Sequence, residues 1–293
     1  MAGFLQQVVE GLGAGAIYAS LALALVLIYQ FTGIVNFAQG ELAMFSTYLA
    51  WQFTAAGLPF WLALVITLVV SFAGGMLIER VIIRPVEGAP ELTVVIVTVG
   101  LFIFVNAAAG WIWSFLIKDF PNPFPEGALT AGGVSVGYST LGILGVVGVV
   151  MGLLYLLFQH TKIGLGMRAV ASNPGSARLV GIRVGWTLAL GWGLAATVGA
   201  VSGVLVAPLL FLDPNLMGGV LIYAFAAATL GGFDSPVGAV VGGLIVGVAE
   251  TLAGAYVGFI GSDLKIGVPL VIILVVLLLR PRGLFGRAVV ERV

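Results

Sequence analysis

The sequence has no cysteine, one histidine and very little charge: only 8% of its 293 residues are Asp, Glu, Lys or Arg. Without cysteine there is no disulfide framework and no thiolate metal or redox centre. His160 cannot build a metal site by itself; it lies where an apolar run ends, near Gln159 and Lys162, and reads as interfacial. No metal or catalytic residue is assigned. A soluble domain carries about a quarter charged residues, so the shortage of charge excludes that class. The phosphate-loop pattern G-x-x-x-x-G-K-[ST] is also missing. GLGAGAIY, at 11–18, lies in an apolar run with no lysine. ATP, if it drives this protein, is therefore handled by a separate subunit. The N-terminus, MAGFLQQVVEG, lacks the positive region of a cleaved signal peptide, so its first apolar run is expected to stay as a span.

What is there is largely hydrocarbon: 61% of the residues are apolar and 43 are glycine. Apolar runs near twenty residues recur throughout, whereas the ten-residue alternation of a membrane β-barrel does not. The fold class is all-α: a polytopic membrane helix bundle of about eight to nine spans with interrupted or re-entrant helices. Candidate spans are 11–30, 41–57, 60–82, 91–116, 139–160, 187–210, 219–233, 236–258 and 262–280. The runs at 41–57 and 219–233 are short for about 30 Å of hydrocarbon, and each adjoins a glycine-bearing break. Residues 1–293 are read as a single transmembrane domain.

Ten of the twelve basic residues fall in three places: Arg80 and Arg84; Lys162, Arg168, Arg178 and Arg183; and Arg280, Arg282, Arg287 and Arg292. Positive residues mark cytoplasmic loops. Even numbers of spans separate the clusters, so all three share one side and the C-terminus is expected in the cytoplasm. The segment 118–140, with one lysine and three prolines, is then an outside loop.

Glycines recur four apart at Gly11/Gly15, Gly148/Gly152, Gly199/Gly203, Gly238/Gly242 and Gly243/Gly247. Small residues at this spacing let helix backbones approach closely in lipid, and ordinary packing is expected of each pair.

Polar groups in a bilayer core are costly and need partners or water. GIVNFAQGELAMFS, at 33–46, places Asn36, Gln39 and Glu41 between two apolar runs. Asn36 and Gln39 lie three apart, on one face if the segment is helical. A second break, TLGGFDSPVGAVVGG at 229–243, has the same character, and paired interruptions in the two halves of a transporter point to its path. Candidate path residues are Asn36, Gln39, Glu41, Glu250 and Asn106. For the first three, satisfying a broken backbone is an equal alternative to lining a path. Asn106 is expected to bond a neighbouring helix, and Glu250 to face water or a partner.

The connection at 161–186 has four basic residues and no acidic one. Ser172 or Asn173 can cap a helix, Pro174 suits its first position and Gly181 its end, predicting a short helix near 174–180. A separately capped helix between two spans suits docking into a groove on a soluble partner. The candidate coupling residues are Arg168, Asn173, Pro174, Ala177, Arg178 and Gly181.

Five stretches, in order along nearly the whole chain, resemble one family: GAIYASLALALVLIYQFTGIVNFAQGELAMFSTYLAW at 15–51, ERVIIRPVEGAP at 79–90, GLGMRAVASNPGSARLVGIRV at 164–184, TLGGFDSPVGAVVGGLIVGVAE at 229–250 and RPRGLFG at 280–286. The family is that of the LivH-type permeases, membrane subunits of ABC importers for branched-chain amino acids and related solutes. One departure is Gln39, where many relatives have histidine. The resemblance implies a LivM-like second permease, two cytoplasmic ABC ATPases that carry Mg-ATP, and an extracytoplasmic substrate-binding protein. It also implies a multi-pass place in a bacterial or archaeal cytoplasmic membrane, in contact with lipid and not with nucleic acid. No cofactor is expected in this chain, nor enzymatic activity, and transport would proceed by alternating access. The rival readings are a gradient-driven secondary transporter using Glu41 or Glu250, or a channel for a small polar solute.

Overall fold

The computed structural model describes residues 2–258, 260, 261 and 264–286. Among them the helices are α1 Ala2–Thr32, α2 Gln39–Ala55, α3 Phe60–Ile78, α4 Glu91–Trp113, α5 Tyr138–His160, α6 Lys162–Ser172, α7 Pro174–Leu179, α8 Val184–Leu210, α9 Leu216–Gly231, α10 Pro236–Tyr256 and α11 Gly267–Leu279. Every one of the nine predicted runs is a helix, so the bundle is all-α as expected. Six helices, counting α3 with its extension to Val86, are long and apolar enough to cross a membrane. The runs flagged as short form α2, with 17 residues, and α9, with 16.

Three details depart from the sequence reading. The run expected at 262–280 yields only the 13 residues of α11, about 20 Å of helix and well short of the hydrocarbon thickness. The expected outside loop contains an antiparallel hairpin, β1 Ala128–Ala131 and β2 Val134–Gly137, with Ala128 opposite Gly137. The basic connection contains a helix, α6, ahead of the predicted short one. Arg287 and Arg292 of the third basic cluster lie outside the described residues.

The chain divides into two compact units. The first comprises Met1–Val26, Asn122–Gly145 and Gly219–Val293. Here the pair Gly11/Gly15 of α1 meets Gly243/Gly247 of α10, while Gly238 and Gly242 face α9. A Cβ on Gly11 would lie 2.6 Å from Val248 Cα, and one on Gly243 would lie 2.5 Å from Ala19 Cα. Such backbone-to-backbone contact is what the four-residue spacing permits. Gln6 ties the hairpin to α1 by donating to Ser135 O at 2.9 Å and accepting from Ser135 N at 2.7 Å.

The second unit comprises Leu27–Pro121 and Val146–Gly218. Its centre is α8, almost wholly buried and packed against α2 and α3. Gly199 and Gly203 form the seam with α2, where a Cβ on Gly199 would lie 2.6 Å from Gln39 Nε2. Gly148 and Gly152 on α5 differ: their Cβ positions meet nothing within 4 Å among the described residues. For this pair, packing inside the chain is not what the spacing reflects.

Candidate functional site

α1 stops at Thr32, where Gly33 takes φ +69° and turns the chain out of the helix. The backbone freed by this break needs partners. Thr32 Oγ1 donates to Ile28 O at 2.9 Å and accepts from Ile34 N at 3.2 Å. Asn36 Oδ1 accepts from Ala38 N at 3.0 Å, and Asn36 Nδ2 donates to Gln39 Oε1 at 3.3 Å. Gln39 Nε2 then reaches across to Ala195 O on α8 at 3.1 Å. Both side chains are buried, at 1% and 0% exposure. The pair forms a clasp that closes the break and fastens it to α8.

Glu41, also buried, belongs to a neighbouring set. Its Oε2 accepts from Asn106 Nδ2 at 3.2 Å, and the same amide donates to Pro214 O at 2.8 Å. Asn106 thus bonds to neighbouring segments, as its mid-span position led one to expect.

A cavity of about 320 Å³ lies wholly within the second unit beside the break. Its wall includes Gly33–Asn36 from the break, Ile28, Phe31, Val94 and Leu188 from the helices, and Glu87–Ala89 from the turn before α4. Thr98 and Trp192 also line it, and Pro174 brings in the first residue of α7. Of the five path candidates only Asn36 lines it; Gln39, Glu41 and Asn106 do not, and are engaged in bonds of their own.

The short helix α7 is built as its residues suggest. Asn173 Oδ1 accepts from Ser176 N at 2.8 Å, Pro174 occupies the first turn, and Gly181 at φ +85° ends it, with its N–H on Arg178 O at 3.1 Å. Ala177 turns inward and packs with Phe31, Met167, Val170, Val184 and Leu188. The outward apolar residues are Leu179, 90% exposed, and Val180, 76% exposed. Arg178 is exposed beside them, and Arg168 on α6 donates to Gln159 Oε1 at 3.0 Å.

The model of the family described as branched-chain amino acid transport system / permease component matches residues 7–277. The chain belongs to this family. The high-affinity branched-chain amino acid transport system permease protein BraD of Pseudomonas aeruginosa is 33% identical over 99% of this chain and 98% of its own. The corresponding LivH of Escherichia coli K12 is 31% identical with the same coverage. In fold, the chain is similar to PsaBC from Streptococcus pneumoniae in complex with Fab, with a TM-score of 0.50 at 14% identity, over 95% of this chain and 92% of that one.

The permease has two further polar arrangements that sequence reasoning did not find. In the first unit, Tyr18 Oη donates to Glu250 Oε2 at 2.8 Å, and the Tyr18 ring stacks on Tyr223 at 4.5 Å. Glu250 is thus paired within its own unit. In the second unit α3 continues into a π-helical turn, Glu79–Ile83, where Arg84 N donates to Glu79 O. The wider turn brings side chains five apart together. Arg84 Nη2 and Nε donate to the Glu79 carboxylate at 2.9 and 3.2 Å, and Nη2 also donates to Gly185 O in the first turn of α8. Five-residue spacing does not meet on an α-helix, so no signal in the sequence marked this pair. Trp192, flanked by Gly191 and Gly193, was likewise passed over as one more apolar residue of α8.

Proposed function

We propose that this permease is the membrane subunit of an ATP-driven ABC importer that carries branched-chain amino acids or related small neutral, zwitterionic solutes by alternating access. Its relatives' names supply the solute class. The observation that carries the mechanical part is α7. It is a capped helix whose inner face is locked to α6, α8 and the end of α1, while Leu179, Val180 and Arg178 face outward. Apolar residues exposed to this extent on a short rigid helix mark a surface made to be covered.

In this reading α7 seats in a groove of one of two cytoplasmic ABC ATPases. Mg-ATP binds and is hydrolysed there, and the closing motion returns through α7 to α8 and α1. A second, LivM-like permease completes the membrane pair, and an extracytoplasmic binding protein delivers the solute. The basic connection and the C-terminus face the cytoplasm of a bacterial or archaeal cell. Asn36 is the path candidate nearest a cavity, with Gln39, Glu41 and Asn106 holding the surrounding helices.

The test is co-expression of the chain with its neighbouring transport genes, purification by a tag on this subunit alone, and reconstitution into proteoliposomes. Co-purification of two ATPases and leucine uptake that needs internal ATP support the reading. Uptake by this chain alone, driven by an ion gradient and indifferent to ATP, overturns it in favour of a secondary transporter.

A further inference from the structure

We propose that the segment from Ser114 to Phe120 is a gate strap. Bridged to Leu212, it closes the end of the second unit far from α7, and it parts from Leu212 to let solute through. Its role as a gate rests on the proposed function; the geometry of the strap stands without it. α8 runs 27 residues, about 40 Å, from the basic connection to Leu210, long enough to reach from one membrane face to the other. Every residue of the strap and of its anchors belongs to the second unit.

At that far end Lys118 and Leu212 form an isolated antiparallel bridge. Lys118 N donates to Leu212 O at 2.9 Å, and Leu212 N donates to Lys118 O at 3.1 Å. Lys118 Nζ lies 4.8 Å from the centre of the Trp51 ring, and Trp51 Nε1 donates to Asp119 O at 3.1 Å. Phe120 is buried edge-on against Phe60, and Leu212 is fully buried. The strap thus joins the end of α4 to the facing ends of α2, α3 and α8. Its middle, Phe115, Leu116 and Ile117, is exposed, so the hold is concentrated at Lys118, Asp119 and Phe120. The turn that contains Leu212 is also held from its other side. Asn106 Nδ2 donates to Pro214 O at 2.8 Å and to Glu41 Oε2 at 3.2 Å, which sets two path candidates against the turn that the strap grips.

Both hinges are strained. Ser114 ends α4 at φ 66°, ψ 168°, and Phe211 ends α8 at φ 65°, ψ 155°. This region of backbone space is essentially reserved for glycine, and another residue stays there only where its surroundings hold it. Every other positive-φ position among the described residues is a glycine. The chain has 43 glycines, so a purely static closure had the unstrained option within reach. Serine and phenylalanine at these two points instead make the closed form costly. Trp113 fixes the near side of the first hinge by stacking on Tyr48 and donating to Gln52 Oε1 at 3.0 Å. Beside the second hinge, Pro208 has no N–H and leaves the end of α8 one backbone bond short. Two backbone hydrogen bonds working against strain at both ends make a clamp poised to open.

The absence of native cysteine gives a clean test. Lys118→Cys with Leu212→Cys places two thiols across an antiparallel pair, a separation that a disulfide spans. The reconstituted complex carrying this pair is oxidised, and leucine uptake is measured beside free-thiol counts and recovery of the ATPases. The expected result is loss of uptake on oxidation, full return on reduction, and unchanged ATPase recovery. Full uptake with the disulfide formed overturns the gate, and thiols that stay free under oxidant overturn the bridge. Leu212→Cys alone reports the motion directly. A membrane-impermeant maleimide should label it about tenfold faster during turnover, because an open form that is a minor state of about 10% or less at rest becomes the major one. Labelling at the same rate with and without turnover overturns the gate. Should both Leu212 variants fail to fold, Ser114→Gly at an exposed position decides. Relief of strain should raise the melting temperature and slow uptake, and no change in either overturns the strained hinge. Wild-type uptake is run in parallel: its presence beside an unlocked oxidised pair overturns the gate alone, and its absence overturns the functional reading and the gate with it.

Discussion

Arg84 covers both oxygens of the Glu79 carboxylate, at 2.9 and 3.2 Å, and fastens the pair to α8 through Gly185 O. Glu79 has a side chain 2% exposed, whereas that of Arg84 is 33% exposed. Their geometry depends on the π-turn, and Gly185 stands in the first turn of α8, directly after the segment that holds α6 and α7. The pair thus anchors the end of α3 to the first turn after the docking element.

Removing one side of this pair is expected to cost more than removing both. Deleting one partner of a buried ion pair costs about 3–5 kcal/mol, and the exposure of Arg84 places this case at or below the low end. Arg84→Ala should therefore lower the melting temperature of the purified permease clearly. The double variant Glu79→Gln with Arg84→Gln should recover most of that loss, because no uncompensated charge remains. Thermal unfolding in nanodiscs measures both; equal losses would show that the charges do not act as a pair.

Docking and folding should separate cleanly at α7. Leu179 is 90% exposed and touches little, so Leu179→Asp should leave the melting temperature unchanged while the ATPases fail to co-purify. Asn173→Ala removes the cap on Ser176 N and should cost about 1 kcal/mol, loosening the helix without abolishing the fold. Gly181→Glu adds a charged side chain at φ +85° and should uncouple ATP hydrolysis from uptake. Normal ATPase recovery and normal uptake in Leu179→Asp and Gly181→Glu would remove α7 from the coupling path.

Identical glycine spacings should respond in opposite directions. At Gly243 an added methyl group would sit 2.5 Å from Ala19 Cα, so Gly243→Ala should destabilise by about 1–3 kcal/mol through forced separation of α1 and α10. At Gly148 nothing lies within 4 Å among the described residues, so Gly148→Ala should be neutral or stabilise by about 0.5–1 kcal/mol through helix propensity. The two melting temperatures, measured on the permease alone, check this.

That contrast shows where sequence reading reaches its limit. Spacing reveals that a glycine stripe exists, but Gly11 and Gly15 meet α10 while Gly148 and Gly152 meet nothing among the described residues, and the stripe is the same in both. The helical runs were legible because apolar length is a local property, although α11 proved shorter than its run. The docking helix was legible because Asn173, Pro174 and Gly181 act within a few residues of one another. The cavity was not, since its wall draws on segments from Ile28 to Trp192 and depends on how they pack. Tyr18 and Glu250 lie 232 residues apart, and Glu79 with Arg84 needs a turn that propensity does not announce.

The clasp at the break offers the remaining test, because its two members have different neighbours. Gln39 is fully buried, faces Gly199 and holds Ala195 O, and it does not line the cavity. Gln39→Ala should lower stability by about 1 kcal/mol or somewhat more, for one hydrogen bond lost and a void opened beside α8. Asn36 does line the cavity and also holds Ala38 N. Asn36→Ala should therefore change both stability and the kinetics of solute uptake, whereas Gln39→Ala should change uptake only as far as it lowers the amount of folded protein. Uptake rates normalised to folded permease, set beside melting temperatures, separate the two. A normalised rate that falls equally in both variants would mean that the clasp acts as one unit in transport, and that Gln39 serves more than the broken backbone.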